Sequence, residues 1–308
     1  MYSDITKNKI KTWFIVIGFV GMISLIVYAL YYAFDLSEWV IIWAVVAASI
    51  SAVVSYYNCD KMILRSVHAR PATHSEDQKL TNIFESLMLT TGLKNKPKLY
   101  VVDSEQPNAF ATGRNPEHSV VCVTTALLDR LDYYELEGVV AHELAHVKNY
   151  DILLSSVISV LVGFVLILSD TLSRYWFFLG GRNSRNRKSS NNSKSSGDGI
   201  VQAVLLIVGM VLLILSPIVS KIIQLAVSRR REYLADATAV KFTRNPQGLI
   251  SALRKLDSDQ HETNSSTKGI DHMCIVSPLK SRNNQKRSNL FSTHPSVEER
   301  VAAISKLK

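Results

Sequence analysis

The chain has 308 residues, of which 47% are hydrophobic, and carries 35 Lys and Arg against 26 Asp and Glu for a formal net charge of +9. Its positive mean hydropathy excludes an ordinary soluble enzyme, while its length accommodates one catalytic domain together with membrane segments. The basic excess sits at the flanks of apolar runs and in one polar connection whose basic run, Arg182 to Lys194, has no aromatic residues interleaved, which excludes a nucleic-acid groove.

Residues 12–34 and 39–57 contain no charged side chain, and each run is long enough for a helix to cross about 30 Å of hydrocarbon. The first is too long for the apolar part of a signal peptide and has no small-residue cleavage site behind it, so it is expected to stay attached. Lys7, Lys9 and Lys11 precede the first run, and Lys61, Arg65 and Arg70 follow the second. Residues 35–38 between the runs have no basic side chain. That asymmetry puts the N-terminus and everything after Asn58 in the cytoplasm.

Leu80, Ile83, Phe84 and Leu87 share one face of a helix predicted over 75–93. Strands are predicted at 98–102, 108–112 and 120–123, one of them an exposed edge. Three widely spaced cysteines, Cys59, Cys122 and Cys274, fit reduced thiols in a cytoplasmic compartment and exclude a cysteine zinc site.

His142-Glu143-Leu144-Ala145-His146 follows, on a helix whose apolar residues at 136, 139, 140 and 144 form a stripe. Residues four apart lie one above the other, so both imidazoles can reach a single tetrahedral ion at about 2 Å. Glu143 flanks the open position, where it can take a proton from a water that the metal acidifies. The same pentapeptide also arises by chance on surface helices. Here the stripe buries the helix, and a buried histidine pair beside a glutamate needs a partner such as a metal. His68, His74, His118, His261 and His272 show no ligand spacing.

Two more apolar runs, 152–169 and 200–219, lie beyond the histidines, and the zinc helix is expected to continue directly into the first of them. Their length favours two crossings of the bilayer. Against that, Arg174, Arg182, Arg185, Arg187, Lys188 and Lys194 in the Ser- and Asn-rich connection 170–198 favour a hairpin that stays inside. Glu232 is the best candidate for a further ligand, and Asp236, four residues on, shares its face and could accept the other ring proton of a ligand histidine. Helices are predicted at 246–256 and 296–308, the latter with Val297, Val301 and Ile304 inward and Pro295 just before it. Between them, 261–289 is polar and irregular.

Four segments resemble the membrane zinc metalloproteases of the HtpX type, related to the CAAX prenyl endopeptidases and the Oma-type proteases. They are residues 108–113, the His142-to-His146 helix, Arg231-Glu232-Tyr233-Leu234-Ala235-Asp236, and Thr293-His294-Pro295 followed by Arg300. The resemblance spans nearly the whole chain. It implies one zinc ion per chain, held by His142, His146 and Glu232, with Glu143 as general base and then proton donor to the leaving amine. It further implies that His294 stabilises the oxyanion, that Asp236 pairs with Arg300, and that Asn108 and Ala109 contact a substrate bound as an added strand. By spacing alone His294 could equally cap the last helix, and Asn108 and Ala109 could belong to an ordinary hairpin.

The expected architecture is mainly α with a small β-sheet, an integral membrane protein whose zincin-type catalytic domain faces the cytoplasm. Residues 1–58 form two transmembrane helices, 59–151 the first part of the catalytic domain, 152–220 two membrane segments joined by a basic loop, and 221–308 the second part. The function implied is endopeptidase action on misfolded or damaged membrane proteins in quality control. Partners are then unfolded or membrane-protein substrates and the lipid bilayer, with no nucleic acid. Rival readings are a processing peptidase for lipid-linked peptides and a non-catalytic zinc scaffold. The first calls for a larger enclosure of spans, and the second leaves Glu143 without a role.

Overall fold

The computed structural model describes residues 10, 12–21, 24, 25, 28, 31, 37–75, 77–160, 229–258 and 295–307. The chain divides into two units, the first made of Met1–Thr12, Ser55–Val160 and Ile223–Lys308 and the second of Trp13–Val54 and Leu161–Ile222. In the second unit, Thr12–Gly21 marks a short apolar helix, and α1 (Glu38–Ser66) begins. Trp39, Trp43, Ile50 and Val53 of α1 are exposed, an apolar surface that water does not favour. Among the described residues, Ile41–Ser66 is long and apolar enough to cross a membrane. Non-helical dihedrals at Asn58 kink α1 where its uncharged run ends.

The first unit is built on a four-stranded sheet in the order β1-β2-β4-β3. Its strands are β1 (Arg70–Pro71), β2 (Lys98–Val102), β3 (Ala109–Asn115) and β4 (His118–Thr124). β2 and β4 run parallel, with Leu99 beside Val121, and the other pairs are antiparallel. Alternation along the strands makes two apolar faces. Val101, Ala109, Ala111, Val121 and Val123 join the main core with the helices, whereas Val102, Phe110, Val120 and Cys122 pack on Cys59, Ile63 and Leu64 from the end of α1. Gly113 has φ +139°, and a Cβ there would lie 2.2 Å from the His118 carbonyl oxygen, so the turn into β4 requires glycine.

Helices α2 (Gln78–Thr91), α3 (Thr125–Arg130), α4 (Tyr133–Lys148), α5 (Arg229–Thr243), α6 (Pro246–Ser258) and α7 (Val297–Ile304) complete the unit. α4 is its axis. Asp132 and Glu135 form a capping box that fixes where α4 starts, and Glu135 also accepts from Ser251 Oγ at 2.6 Å and Lys255 Nζ at 2.8 Å on α6. Burial opposes ionisation of Glu135, but these donors outweigh it and hold the carboxyl below its usual range. At the other end, Lys148 Nζ donates to the Thr91 carbonyl at 2.6 Å and lies over the Phe242 ring, tying α4 to α2 and α5.

The structure departs from the sequence reading at three places. α4 is buried around most of its circumference rather than along one stripe, because the sheet, α2, α5 and α6 all pack on it. It does not run straight into the next apolar segment: Tyr150 adopts φ +61° and breaks the helix before residues 152–160 resume it. Those nine residues are nearly all buried. β3 is an edge strand by order, yet the side chains of Ala109 to Thr112 are buried, and Gly113 N donates to Ser156 Oγ at 3.0 Å. The rest of 152–169, together with 170–198, 200–219 and 261–289, lies outside the described residues.

Two glycines set the crossing of α4 and α6. A Cβ on Gly138 would sit 2.8 Å from the Leu249 backbone nitrogen, and one on Gly248 would sit 2.5 Å from the Tyr134 carbonyl oxygen. Gly138→Ala is therefore expected to destabilise the domain by about 1–3 kcal/mol through overpacking, although alanine exceeds glycine by about 1 kcal/mol in helix propensity. Thermal unfolding of the detergent-solubilised protein measures this, and an unchanged midpoint would mean that the crossing has slack.

Candidate metal centre

Helical spacing puts His142 and His146 on one face of α4, and α5 packs across that face with Glu232 in its first turn. The two Nε2 atoms are 3.1 Å apart. Glu232 brings Oε2 to 3.7 Å from His142 Nε2 and Oε1 to 3.6 Å from His146 Nε2. One donor atom from each of the three lies within 4.8 Å of the others. Two imidazole nitrogens and a carboxylate oxygen are the donor set of a catalytic zinc site, with a fourth position left open.

The surroundings of His142 determine which nitrogen faces the cluster. Its Nδ1 lies 2.9 Å from Asp236 Oδ1, and Arg300 clamps the same carboxylate through Nη2 at 2.6 Å and Nε at 2.9 Å. Arg300 Nη2 also lies 3.4 Å from Nδ1, but a guanidinium only donates, so with Nδ1 protonated both groups donate to Asp236. Nε2 then carries a bare lone pair. A second bare lone pair on His146 at 3.1 Å would be repulsive unless a cation stood between them.

Electrostatics point the same way. His142, Glu143, Glu232, Asp236 and Arg300 are all at most 6% exposed. Burial alone would push the His142 ring down, yet the Asp236 and Glu232 carboxylates prevail and raise it to about 9. The pocket thus favours positive charge at that spot. Burial pushes the Glu143 carboxyl above its usual range, opposed by both histidines, so it is a better proton acceptor than a solvated glutamate. Asp236 is held low despite burial, because Arg300 and His142 outweigh the desolvation.

Of the residues singled out by sequence, the fold gathers His142, His146, Glu232, Asp236 and Arg300 by direct contact, with Glu143 beside His142 on α4. Arg300 reaches the cluster because Ser296 and Glu299 cap α7 with a second capping box, so the arginine falls one turn into the helix. Asn108 and Ala109 lie at the start of β3. Asn108 spends its N–H on Thr124 Oγ1 at 2.8 Å and its carbonyl on Thr124 N at 2.9 Å. His294 lies outside the described residues. Cys59 and Cys122 are buried thiols outside the ligand set, and Cys122 lies near enough to Glu143 to feel its charge.

Arg300 is 1% exposed, and its guanidinium is the permanently charged partner of Asp236. Arg300→Met would leave that buried carboxylate uncompensated and is expected to cost about 3–5 kcal/mol. Adding Asp236→Asn should recover part of the loss in an unfolding measurement, and a double variant no more stable than the single one would refute the pairing.

The model of peptidase family M48 matches residues 74–308. The chain is 39% identical over 303 residues to the Protease HtpX homolog of Dictyoglomus thermophilum, covering 98% of this chain and 93% of that one. It is 40% identical over 307 residues to the Protease HtpX homolog of Lactobacillus acidophilus, covering 99% of each. The crystal structure of S. mikatae Ste24p is similar at a TM-score of 0.46 and 19% identity, over 99% of this chain and 66% of that one, too slight a likeness to carry an argument. On the family match and on full-length relatives near 40% identity, the chain belongs to peptidase family M48 and is a metallopeptidase.

Proposed function

We propose that this chain is a membrane-anchored zinc endopeptidase, with one zinc per chain held by His142, His146 and Glu232, that cuts misfolded or damaged membrane proteins from the cytoplasmic side. The observation that carries the reading is the convergence of two Nε2 atoms at 3.1 Å with the Glu232 carboxylate in a pocket that favours positive charge. Zinc in such a donor set supplies a Lewis acid that polarises the scissile carbonyl and acidifies water. Glu143 removes the proton from the attacking water and hands it to the nitrogen of the departing amine. His294 donates to the oxygen that turns anionic as the carbonyl carbon becomes tetrahedral. Asp236 and Arg300 hold the His142 ring and keep its Nε2 directed at the cluster.

The substrate lies along β3 as an added strand. Gly113 N points away from β4 to Ser156, and Asn108 points toward β4, so alternation directs the main-chain groups of Ala109 and Ala111 out of the sheet. Main-chain pairing there gives affinity with little demand on sequence, which suits a quality-control protease. Two uncharged runs flanked by Lys7, Lys9 and Lys11 and by Lys61, Arg65 and Arg70 support anchoring with the catalytic domain in the cytoplasm. The length and apolarity of the runs within 152–220 support two further membrane segments, with 221–308 completing the domain.

Detergent-purified, zinc-loaded protein should cleave an unfolded model protein, whereas Glu143→Gln should keep its zinc and lose cleavage by at least about a hundredfold. Cleavage by Glu143→Gln at the wild-type rate would sink the base assignment. Loss of zinc from Glu143→Gln would instead make Glu143 part of the ligand set.

A further inference from the structure

The end of α4 holds a carboxylate that no motif singled out. Asn149 N donates to Ala145 O, Tyr150 N to Val147 O at 3.2 Å, and Asp151 N to His146 O at 3.1 Å. Together with φ +61° at Tyr150, these bonds form the helix-ending turn in which the residue two beyond the cap folds back on the residue in the last helical turn. Glycine is the usual occupant of the left-handed position, and tyrosine there is strained. The two residues brought together by such a turn are ordinarily apolar. Here they are His146 and Asp151.

Asp151 is 5% exposed, and its Oδ2 lies 3.3 Å from His146 Nδ1. Its other oxygen faces Arg231 Nη1 at 3.8 Å. That nitrogen is buried with no hydrogen-bond partner among the described residues, leaving the Asp151 carboxylate as the anion opposite it. Arg231 immediately precedes Glu232 in α5. Each imidazole of the pair thus backs onto an aspartate that in turn faces an arginine: His142 onto Asp236 and Arg300, His146 onto Asp151 and Arg231. The second arrangement is looser, and it serves the more accessible ring, since the His146 side chain is 17% exposed against 1% for His142. A ring with room to turn has more need of an acceptor behind it.

We propose that Asp151 is a positioning residue for the metal centre. It accepts the Nδ1 proton of His146, so that Nε2 is the nitrogen turned to the metal, and Arg231 holds that carboxylate in place. The inference rests on the reading of His142, His146 and Glu232 as the ligand set. A carboxylate behind a ligand imidazole fixes its tautomer and raises its basicity, and removing one lowers metal affinity by about ten- to a hundredfold.

The test is zinc affinity by chelator competition on the full-length protein in detergent, with melting temperatures taken zinc-loaded and chelated, for wild type, Asp151→Ala, Asp151→Asn and His142→Ala. Asp151→Ala should bind zinc about ten- to a hundredfold more weakly and lose part of the melting-temperature gain that zinc gives. Asp151→Asn keeps an acceptor oxygen and should fall between Asp151→Ala and wild type, with altered visible absorption when cobalt replaces zinc. If Asp151→Ala does not fold, Asp151→Asn carries the test. Wild-type affinity and cobalt spectrum in the folded Asp151 variants, with any loss of stability equal in loaded and chelated protein, would overturn the proposal. Wild-type affinity in His142→Ala would instead overturn the ligand set on which it rests.

Discussion

Uncompensated buried charge governs this molecule. With neutral imidazoles, the carboxylates of Glu143, Glu232 and Asp236 lie buried together against one buried guanidinium, that of Arg300. Two negative charges are left over, which is the charge of one divalent cation. Burying isolated carboxylates is so unfavourable that they protonate or find a partner. Burial pushes the Glu143 carboxyl up, while the Asp236 and Glu232 carboxylates raise the His142 ring against its burial. A metal-binding peptidase centre is the arrangement in which every one of these groups has a purpose.

Holding such a cluster requires supports that do not yield. The histidines and Arg300 stand on helices whose starts are fixed by specific devices. Asp132 and Glu135 set the register of α4, and Ser296 and Glu299 set that of α7. Gly138 and Gly248 let α4 and α6 approach to backbone contact, which clamps the first half of α4. A displacement of 1 Å in any of these helices would separate Asp236 from Arg300 or His142 from Glu232. The rigidity of the domain is therefore part of its chemistry.

What the sequence made legible follows the range of the interaction. His142 and His146 are readable from a local period, and Glu232 with Asp236 from a second one. Arg300, 64 residues beyond Asp236, has no local signal and was reachable only through resemblance to a family. The strands were visible because alternating Val and Ala cover two faces of one sheet. Full burial of α4 was not, since a polar position on a helical wheel can be buried once its group finds a partner, as Glu135 does on α6. Asp151 escaped notice because the turn that carries it has tyrosine where glycine would have announced it. A continuous helix into the apolar run was the natural reading.

That turn links the centre to the sheet edge. Immediately after Asp151 the chain enters 152–160, where Ser156 bonds Thr112 Oγ1 at 2.8 Å and Gly113 N, and Val160 packs with Phe110 and Cys122. One short stretch therefore backs His146 at its start and covers the far end of β3 a turn or two later. Ser156 thus occupies the outward N–H of Gly113 and closes that end of the β3 edge to further main-chain pairing. Had α4 continued straight through Tyr150, Asp151 would have pointed away from His146 and the edge at Gly113 would have stayed open. A single left-handed residue thus sets both what stands behind the His146 ring and what covers the edge at Gly113.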